Sequence, residues 1–441
     1  MYVAVDDTDS VNGNCTTFLM TEIIDELRDI DMIGNPRLVR LNPAVPWKTR
    51  GNGSLVLRLG KGTGTKRYIG SINNRDIFCY DETTESNMDG SSILKRIIPI
   101  VERYHEDSAD PGVIVSENRP SNSFYWKGVR TIVDRKEIDK EIKRIGAETF
   151  EIGCGRGLIG ALCGMAWTPV DSTFELLTYR PKGRWGTERV FDPLSIRGAD
   201  KTLQSTFNSW EERNSKVTMV PSTPCPIMYG FRGDDEGELL QGLNMIKTEP
   251  LDRWAIFLTN QGTDDHIIFD AEELMPDSSY YIEGEIGSSA RHEKGGHVFM
   301  DMITKYGKVT IGMYEPSKVF RHILDELVIG DYIGVMGELR NDPRTLNVEK
   351  IHVLNTVERY GKVSNPICAG CSKTMESVGK GKGYRCRGCH TSSDVPVMKK
   401  MPTHLINGWY EPPESVRRHL SKPLKRMREE QPVMFVNSRM Q

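Results

Sequence analysis

The chain has 441 residues, 38% of them apolar and 27% charged, with a formal net charge of −3. That length gives room for two to four domains, each able to bury its own core, and that balance excludes a disordered or fibrous chain. The sequence has no run of about 18 apolar residues of the kind a transmembrane helix needs, and its acidic, strand-like start lacks the layout of a signal peptide, so the expectation is a cytoplasmic protein with no membrane partner.

The charge is unevenly placed. From Arg359 to Gln441 there are 16 Lys and Arg against 6 Asp and Glu, a net of +10, which leaves the body of the chain at −13. A basic end on an acidic body points to a polyanion held at one end, with a merely solvated basic tail as the bland alternative.

In chain order, an apolar strand from Tyr2 runs into Asp6-Asp7-Thr8-Asp9-Ser10, and Cys15-Thr16-Thr17 then opens a helix over residues 16–29, where Phe18, Leu19, Ile23, Ile24 and Leu27 recur at helical spacing. Three carboxylates at a strand end suit a divalent cation, and hydroxyls beside the free N–H groups of a helix start suit phosphate. Asp and Thr are also common turn formers, and a Thr at a helix start is ordinarily a cap. A short strand follows at 37–41. The loop at 42–53 holds Pro43 and Pro46 and offers Lys48 and Arg50 beside Gly51 as a cationic side for a phosphate site. After a strand at 54–59, the polar stretch 60–89 reads as a surface excursion or small insert that fits no motif. A helix at 93–104 and a buried strand at 112–116 complete an α/β or α+β domain over residues 1–135.

A second α+β unit spans 136–270, with a helix at 136–145, a Gly-rich turn and short helix within 153–166, and strands at 175–180 and 253–259. Its Gly155-Arg156-Gly157-Leu158-Ile159-Gly160 fits the G-x-G-x-x-G pattern, with Asp171 and Glu175 near the acidic offset of a dinucleotide fold. Residues 148–152 make a poor buried parallel strand, however, and Pro169 cuts the helix short. Anion contact through free N–H groups and Arg156 is the better reading, and an NAD-dependent oxidoreductase is the rival one.

Between 278 and 356, five short strands at 280–286, 297–303, 308–313, 332–339 and 345–354, with one helix at 317–327, predict an OB-fold barrel, a frequent nucleic-acid module. Within 359–400, Cys368-x2-Cys371 and Cys386-x2-Cys389, separated by 14 residues, place four thiolates for a closed tetrahedral zinc site, a structural zinc ribbon. Cys386-Arg387-Gly388-Cys389-His390 also matches a haem-attachment pattern, but the upstream cysteine pair argues against it. The other five cysteines are scattered, as in a reducing compartment. The tail, 401–441, carries Arg417, Arg418, His419, Lys422, Lys425 and Arg426, and its Arg and Lys side chains are the candidate RNA contacts.

Val5 to Ser10 with Cys15-Thr16-Thr17, Arg40-Leu41-Asn42-Pro43 and Lys48-Thr49-Arg50-Gly51-Asn52-Gly53 resemble the N-terminal kinase-like domain of the archaeal tRNA-isoleucine 2-agmatinylcytidine synthetases. Gly155 to Leu162, Thr178-Tyr179-Arg180, Thr259 to Asp264, Gly295-Gly296-His297-Val298 and the cysteine ribbon resemble later parts of the same family, in the same order. The resemblance implies a multidomain α+β protein: a kinase-like α/β domain, a ferredoxin-like α+β domain, an OB-fold β-barrel and a zinc ribbon. It implies a ligase that phosphorylates the C2 oxygen of the wobble cytidine in the CAU anticodon of an isoleucine tRNA, displaces it with agmatine and converts ATP to AMP and phosphate, changing decoding from AUG to AUA. It places Mg²⁺ on Asp6, Asp7 and Asp9 and a phosphorylated threonine at Thr16. Thr8, Ser10, Lys48, Arg50 and Gly51 are the candidate ATP-phosphate residues, Lys48 and Arg50 from charge and loop position. ATP, Mg²⁺ and structural Zn²⁺ are the expected cofactors, the tRNA and agmatine the expected partners, and no obligate protein partner is evident. A tRNA-binding protein without catalysis is the alternative.

Overall fold

The computed structural model describes residues 1–10, 13–48, 51–84 and 88–427. An eleven-stranded sheet runs through both N-terminal units. Its first strands are β1 (Tyr2–Asp6), β2 (Asp31–Ile33), β3 (Arg37–Arg40), β4 (Gly53–Ile72), β5 (Arg75–Thr84), β6 (Gly112–Ser116), β7 (Glu148–Glu151) and β8 (Thr173–Tyr179). The main path runs β7-β6-β1-β4-β3, then Arg253–Thr259, β8, Ile227–Gly233 and Thr206–Phe207.

Alternation along β1 sets the layers. Val3 and Val5 point to one face, where they meet the apolar stripes of helices α1 (Thr16–Glu26) and α2 (Gly90–Arg103) in one core. Ala4 points to the other face and packs with α3 (Ser123–Arg130), α4 (Arg135–Ile145) and α5 (Gly157–Ala166). In the second half, Leu176, Met228 and Phe231 are covered by helices Pro193–Thr202 and Glu236–Met245.

The stretch expected as a surface insert is sheet. Strand β4 continues to Ile72 and returns as β5 through Asn73 and Asn74, both left-handed at φ 52° and 60°. Asn tolerates that conformation in a two-residue hairpin turn. The far end of β4 then pairs Gly70–Ile72 with Arg253–Ala255, tying the two halves together. Many small and polar side chains along β4 mask the strand in the sequence.

The barrel carries all five expected strands, at Ser278–Ile286, His297–Thr304, Gly307–Met313, Tyr332–Arg340 and Thr345–Asn355. It closes where Gly284–Ile286 pairs with Met302–Thr304. The expected helix at 317–327 is instead a 3₁₀ segment, Glu315–His322, followed by one α-turn, Ile323–Glu326; Lys318 at φ 55° breaks the run. Beyond the ribbon, Gly408–Tyr410 adds a strand to the barrel against Ile351–Val353, and the chain then returns to the large sheet.

Candidate active site

Strand β1 delivers Asp6 to the sheet end, paired in register with Gly112 of β6. The next residue turns sharply: Asp7 has φ 56°, uncommon for a residue with a side chain, and its N–H donates to Asp6 Oδ1 at 2.7 Å. Helix α1 starts at Thr16, and Cys15, in the cap position, makes no side-chain cap hydrogen bond. Asp9 does that work from seven residues away. Its Oδ1 accepts the Thr16 backbone N–H at 2.6 Å and the Thr16 hydroxyl at 2.9 Å. A hydroxyl donating to a carboxylate is the arrangement of an activated oxygen nucleophile beside its proton acceptor.

Helix α5 brings the glycine motif to the same place. A Cβ at Gly157 would press on the Asp6 carbonyl oxygen at 2.6 Å, and one at Gly160 would overlap the Asp6 carboxylate itself. The spacing that resembles a dinucleotide fingerprint therefore lets a helix lie directly against β1. The preceding strand β7 is an edge strand antiparallel to β6, not the buried parallel strand of a dinucleotide fold. That corrects the oxidoreductase rival.

The electrostatics of this corner are unbalanced. Burial, with Asp7 next in weight, pushes the Asp6 carboxyl up to about 8. Asp7 is also raised, by burial and then by Asp110, with Arg156 opposing. Arg156 stands 4.0 Å from Asp110 and lies over the Trp47 ring at 5.4 Å. A cleft opens here, lined by Asp6, Asp7, Asp9, Thr16, Trp47 and Arg156 among others. On the far side of Asp9 and Thr16 a second cavity is lined by Arg40, Glu175, Cys225, Arg232 and His419. Thr16 and Asp9 form the wall between the two.

Lys48 and Gly51 line the first cleft, with Lys48 Nζ hydrogen-bonded to the Pro43 carbonyl. Arg50 lies outside the described residues. Thr8 and Ser10 do not line the cleft. Both are buried; the Ser10 hydroxyl accepts the Asn14 N–H at 3.2 Å, and the Thr8 hydroxyl has no hydrogen-bond partner among the described residues. Trp47 and Asp110 escaped sequence reasoning. The one available signal was a tryptophan set between Pro46 and Lys48 in a loop, where no packing pattern calls for it.

The basic tail, whose Arg and Lys side chains are the expected RNA contacts, folds back on the molecule as a clasp. Arg417 pairs with Glu411 at 2.7 Å, Arg418 with Glu338 and with Glu349 at 3.2 Å, and Lys422 with Asp171 at 2.9 Å. Arg426 pairs with Asp171 at 2.8 Å and Asp234 at 2.9 Å, and Lys425 donates to the Thr206 carbonyl at 2.6 Å. These five expected RNA contacts are committed to the chain's own acceptors, because the acidic body and the basic end compensate each other on folding.

The four ribbon cysteines converge, with one sulfur from each lying within 4.8 Å of the others. Backbone N–H groups of Gly370 and Cys371 hold the Cys368 thiol down to about 6, in the range of a ligating thiolate. The donor set and its closeness fit a tetrahedral structural zinc ion with no open position. Among the described residues no helix is long and apolar enough to cross a membrane.

Three family models match the chain: the TiaS TCKD domain over residues 2–154, the TiaS FLD domain over 155–266 and the TiaS C-terminal zinc ribbon domain over 365–405. The isoleucine-tRNA 2-agmatinylcytidine synthetase TiaS of Methanocaldococcus jannaschii is 35% identical over 96% of this chain and 98% of its own length. The chain belongs to the isoleucine-tRNA 2-agmatinylcytidine synthetase family. The Archaeoglobus fulgidus synthetase is likewise 35% identical over 97% of each chain. Among solved structures, the complex of TiaS with its isoleucine tRNA and ATP superposes with a TM-score of 0.83 at 34% identity, covering 97% of each chain. The complex of TiaS with that tRNA, AMPCPP and agmatine gives 0.81 at 32% identity, again over 97% of each. The first two synthetase models meet at 154/155, immediately before the glycine that opens α5's approach to Asp6.

Proposed function

We propose that this chain uses ATP to join agmatine to the wobble cytidine of the CAU anticodon of an isoleucine tRNA, so that the tRNA reads AUA instead of AUG. The observation that carries the reading is the Thr16 hydroxyl, held on Asp9 in the wall between two cavities. The chemistry asks for two compartments. A ring carbonyl oxygen is a poor leaving group until it is phosphorylated, and the amine must then reach the same carbon from a protected site.

In this reading, ATP occupies the first cleft, with Lys48, Arg50, Gly51 and Arg156 around its phosphates and the exposed Trp47 face available for the adenine. The Thr16 oxygen bonds to a phosphorus of ATP as Asp9 accepts its proton, and the bridging P–O bond on the nucleotide side breaks with the remaining nucleotide as the leaving group. Asp6, Asp7 and Asp9 would hold Mg²⁺, which neutralises charge on the phosphates being transferred. The buried, uncompensated charge behind the raised Asp6 fits a divalent cation. Mg²⁺ commonly takes one or two carboxylates and completes its shell with phosphate and water, so the three oxygens need not converge beforehand. Agmatine, a dication, enters the second cavity on the Glu175 side.

The four sub-folds take the family's names in this proposal: kinase-like and ferredoxin-like units sharing the large sheet, an OB-fold for the barrel and a zinc ribbon. With the tail folded into the clasp, the exposed lysines of the ribbon, such as Lys380, Lys382 and Lys399, become the basic surface offered to tRNA phosphates. The proposed setting is the cytoplasm, where tRNA is available. A non-catalytic tRNA-binding protein leaves the Asp9–Thr16 pair and both cavities without a role. The test is direct: the full chain is incubated with ATP, agmatine and the CAU tRNA, and the nucleosides are analysed by mass spectrometry. The expected result is cytidine carrying the agmatine increment, and its absence would overturn the enzyme reading.

A further inference from the structure

The side chain of the tail residue His419 has no role in the clasp, although both its neighbours do. Arg418 pairs with Glu338, and Leu420 is buried in the core beneath β1 and α5. The His419 carbonyl accepts the Gly262 N–H at 2.8 Å, and the Leu420 carbonyl accepts the Asp264 N–H at 2.8 Å. The backbone is thus pinned on both sides of an imidazole that makes no hydrogen bond among the described residues and is itself exposed. What it is exposed to is a pair of adjoining open clefts. His419 lines the cleft that reaches Thr16 and also a third one, bounded by Pro43, Lys48, Asn52, Arg340 of the barrel and Arg418. Arg40 and Gly51 are the other residues at that junction. The ring lies against Gly51, where a Cβ would stand 3.1 Å from Cδ2 and 3.2 Å from Nε2.

We propose that His419 is a contact residue for the target base, hydrogen-bonding the polar edge of the cytosine where it passes from the barrel-side cavity to Thr16. The inference rests on the function proposed above and deepens it. A macromolecular substrate gripped on the barrel side can reach Thr16 through this junction, and Arg40 is already turned to the Gly51 carbonyl at 3.3 Å. Desolvation by the surrounding side chains comes first, the charges of Arg40, Arg232 and Lys48 add to it, and together they hold the His419 pKa well below the ordinary value. The ring is therefore neutral and offers one donor and one acceptor, matching an edge on which cytosine places its amino group beside the N3 acceptor. A phosphate contact would instead call for a charged side chain.

Three variants of the full chain, His419→Ala, His419→Gln and His419→Lys, test this under single turnover with ATP, agmatine and the CAU tRNA. His419→Ala should lower the rate of agmatine addition by about tenfold to a hundredfold, the loss of a buried polar contact. Its tRNA affinity should stay within about twofold, because phosphate contacts dominate binding. His419→Gln, neutral with a donor and an acceptor, should recover most of the rate, and His419→Lys should be as slow as His419→Ala. A wild-type rate for His419→Ala overturns the inference. So does His419→Lys outperforming His419→Gln, which would mark a phosphate contact, or equal loss in all three with a lowered melting temperature, which would mark a structural role. If the wild-type chain forms no product, the proposed function fails instead.

Discussion

Asp6 at the end of β1 and Glu349 in the barrel are both buried carboxylates, and burial alone would raise the pKa of each. Around Asp6 the next influence is a second carboxylate, Asp7, and the group rises to about 8. Around Glu349 stand Arg418, His266 and Lys350, and the group falls to about 2. His266 Nε2 lies 3.0 Å from Glu349, and Lys350 reaches on to Asp264. In one region the described chain leaves the ionised carboxylate unbalanced, so the group holds its proton; the other uses balanced charge to fasten barrel, sheet and tail together. Imbalance costs stability and is retained where chemistry needs it, whereas balance marks architecture.

The strongest way to break the acidic region is at its hydroxyl. Thr16→Ala should reduce agmatine addition below about one part in a thousand while leaving the melting temperature nearly unchanged, since Asp9 still caps α1 through the backbone N–H. Nucleoside mass spectrometry and a thermal melt read the two effects. Gly160→Ala comes next. Alanine is the better helix former by about 1 kcal/mol, so an ordinary helix position would gain stability. Here the methyl displaces the Asp6 carboxylate, and activity should fall by about a hundredfold. Full activity in that variant would show that Asp6 need not sit against α5.

The clasp should break in stability first. Arg418→Ala leaves Glu338 and Glu349 facing each other without their shared cation. For a partner that is partly solvated, a loss of about 2–3 kcal/mol is expected in denaturant unfolding.

The smallest effect is the most discriminating, because the two carboxylates have opposite pH signatures. Asp6 holds its proton more tightly folded than unfolded, so the stability deficit relative to Asp6→Asn is absent below pH about 4, grows up to about 8 and is constant beyond. Glu349 is depressed from 4.5 to about 2, so its contribution is complete above 4.5 and is lost as pH falls through 2. Melting curves of wild type and Asp6→Asn without divalent cations should therefore diverge by a few degrees from about pH 5 to 8. Parallel curves would refute the burial of an uncompensated Asp6.

Much of the site was legible beforehand because its signals are local. The carboxylates sit at a strand end, Thr16 at a helix start and Gly51 in a loop, and each follows from patterns a few residues long. The barrel strands were legible for the same reason, through their alternation. The hairpin of β4 and β5 was not, since its side chains are small and polar and its stability comes from pairing with β2 and with Arg253–Ala255 far along the chain. The burial of Thr8 and Ser10 was not legible, because a hydroxyl in an acidic loop looks alike whether it faces the cleft or the core.

The sequence by itself determined the strand that ends in Asp6, Asp7 and Asp9, the cysteine spacing of the ribbon and the order of modules, all encoded within short windows. Tertiary structure alone decided which charges remain available. Arg426 meets Asp171 across 255 residues and Arg418 meets Glu338 across 80. Only such long-range contacts turn a basic tail into a clasp, place His419 at the junction of two cavities and leave the Asp6 charge uncompensated. Electrostatic compensation is a property of distances in space, and no local pattern carries it.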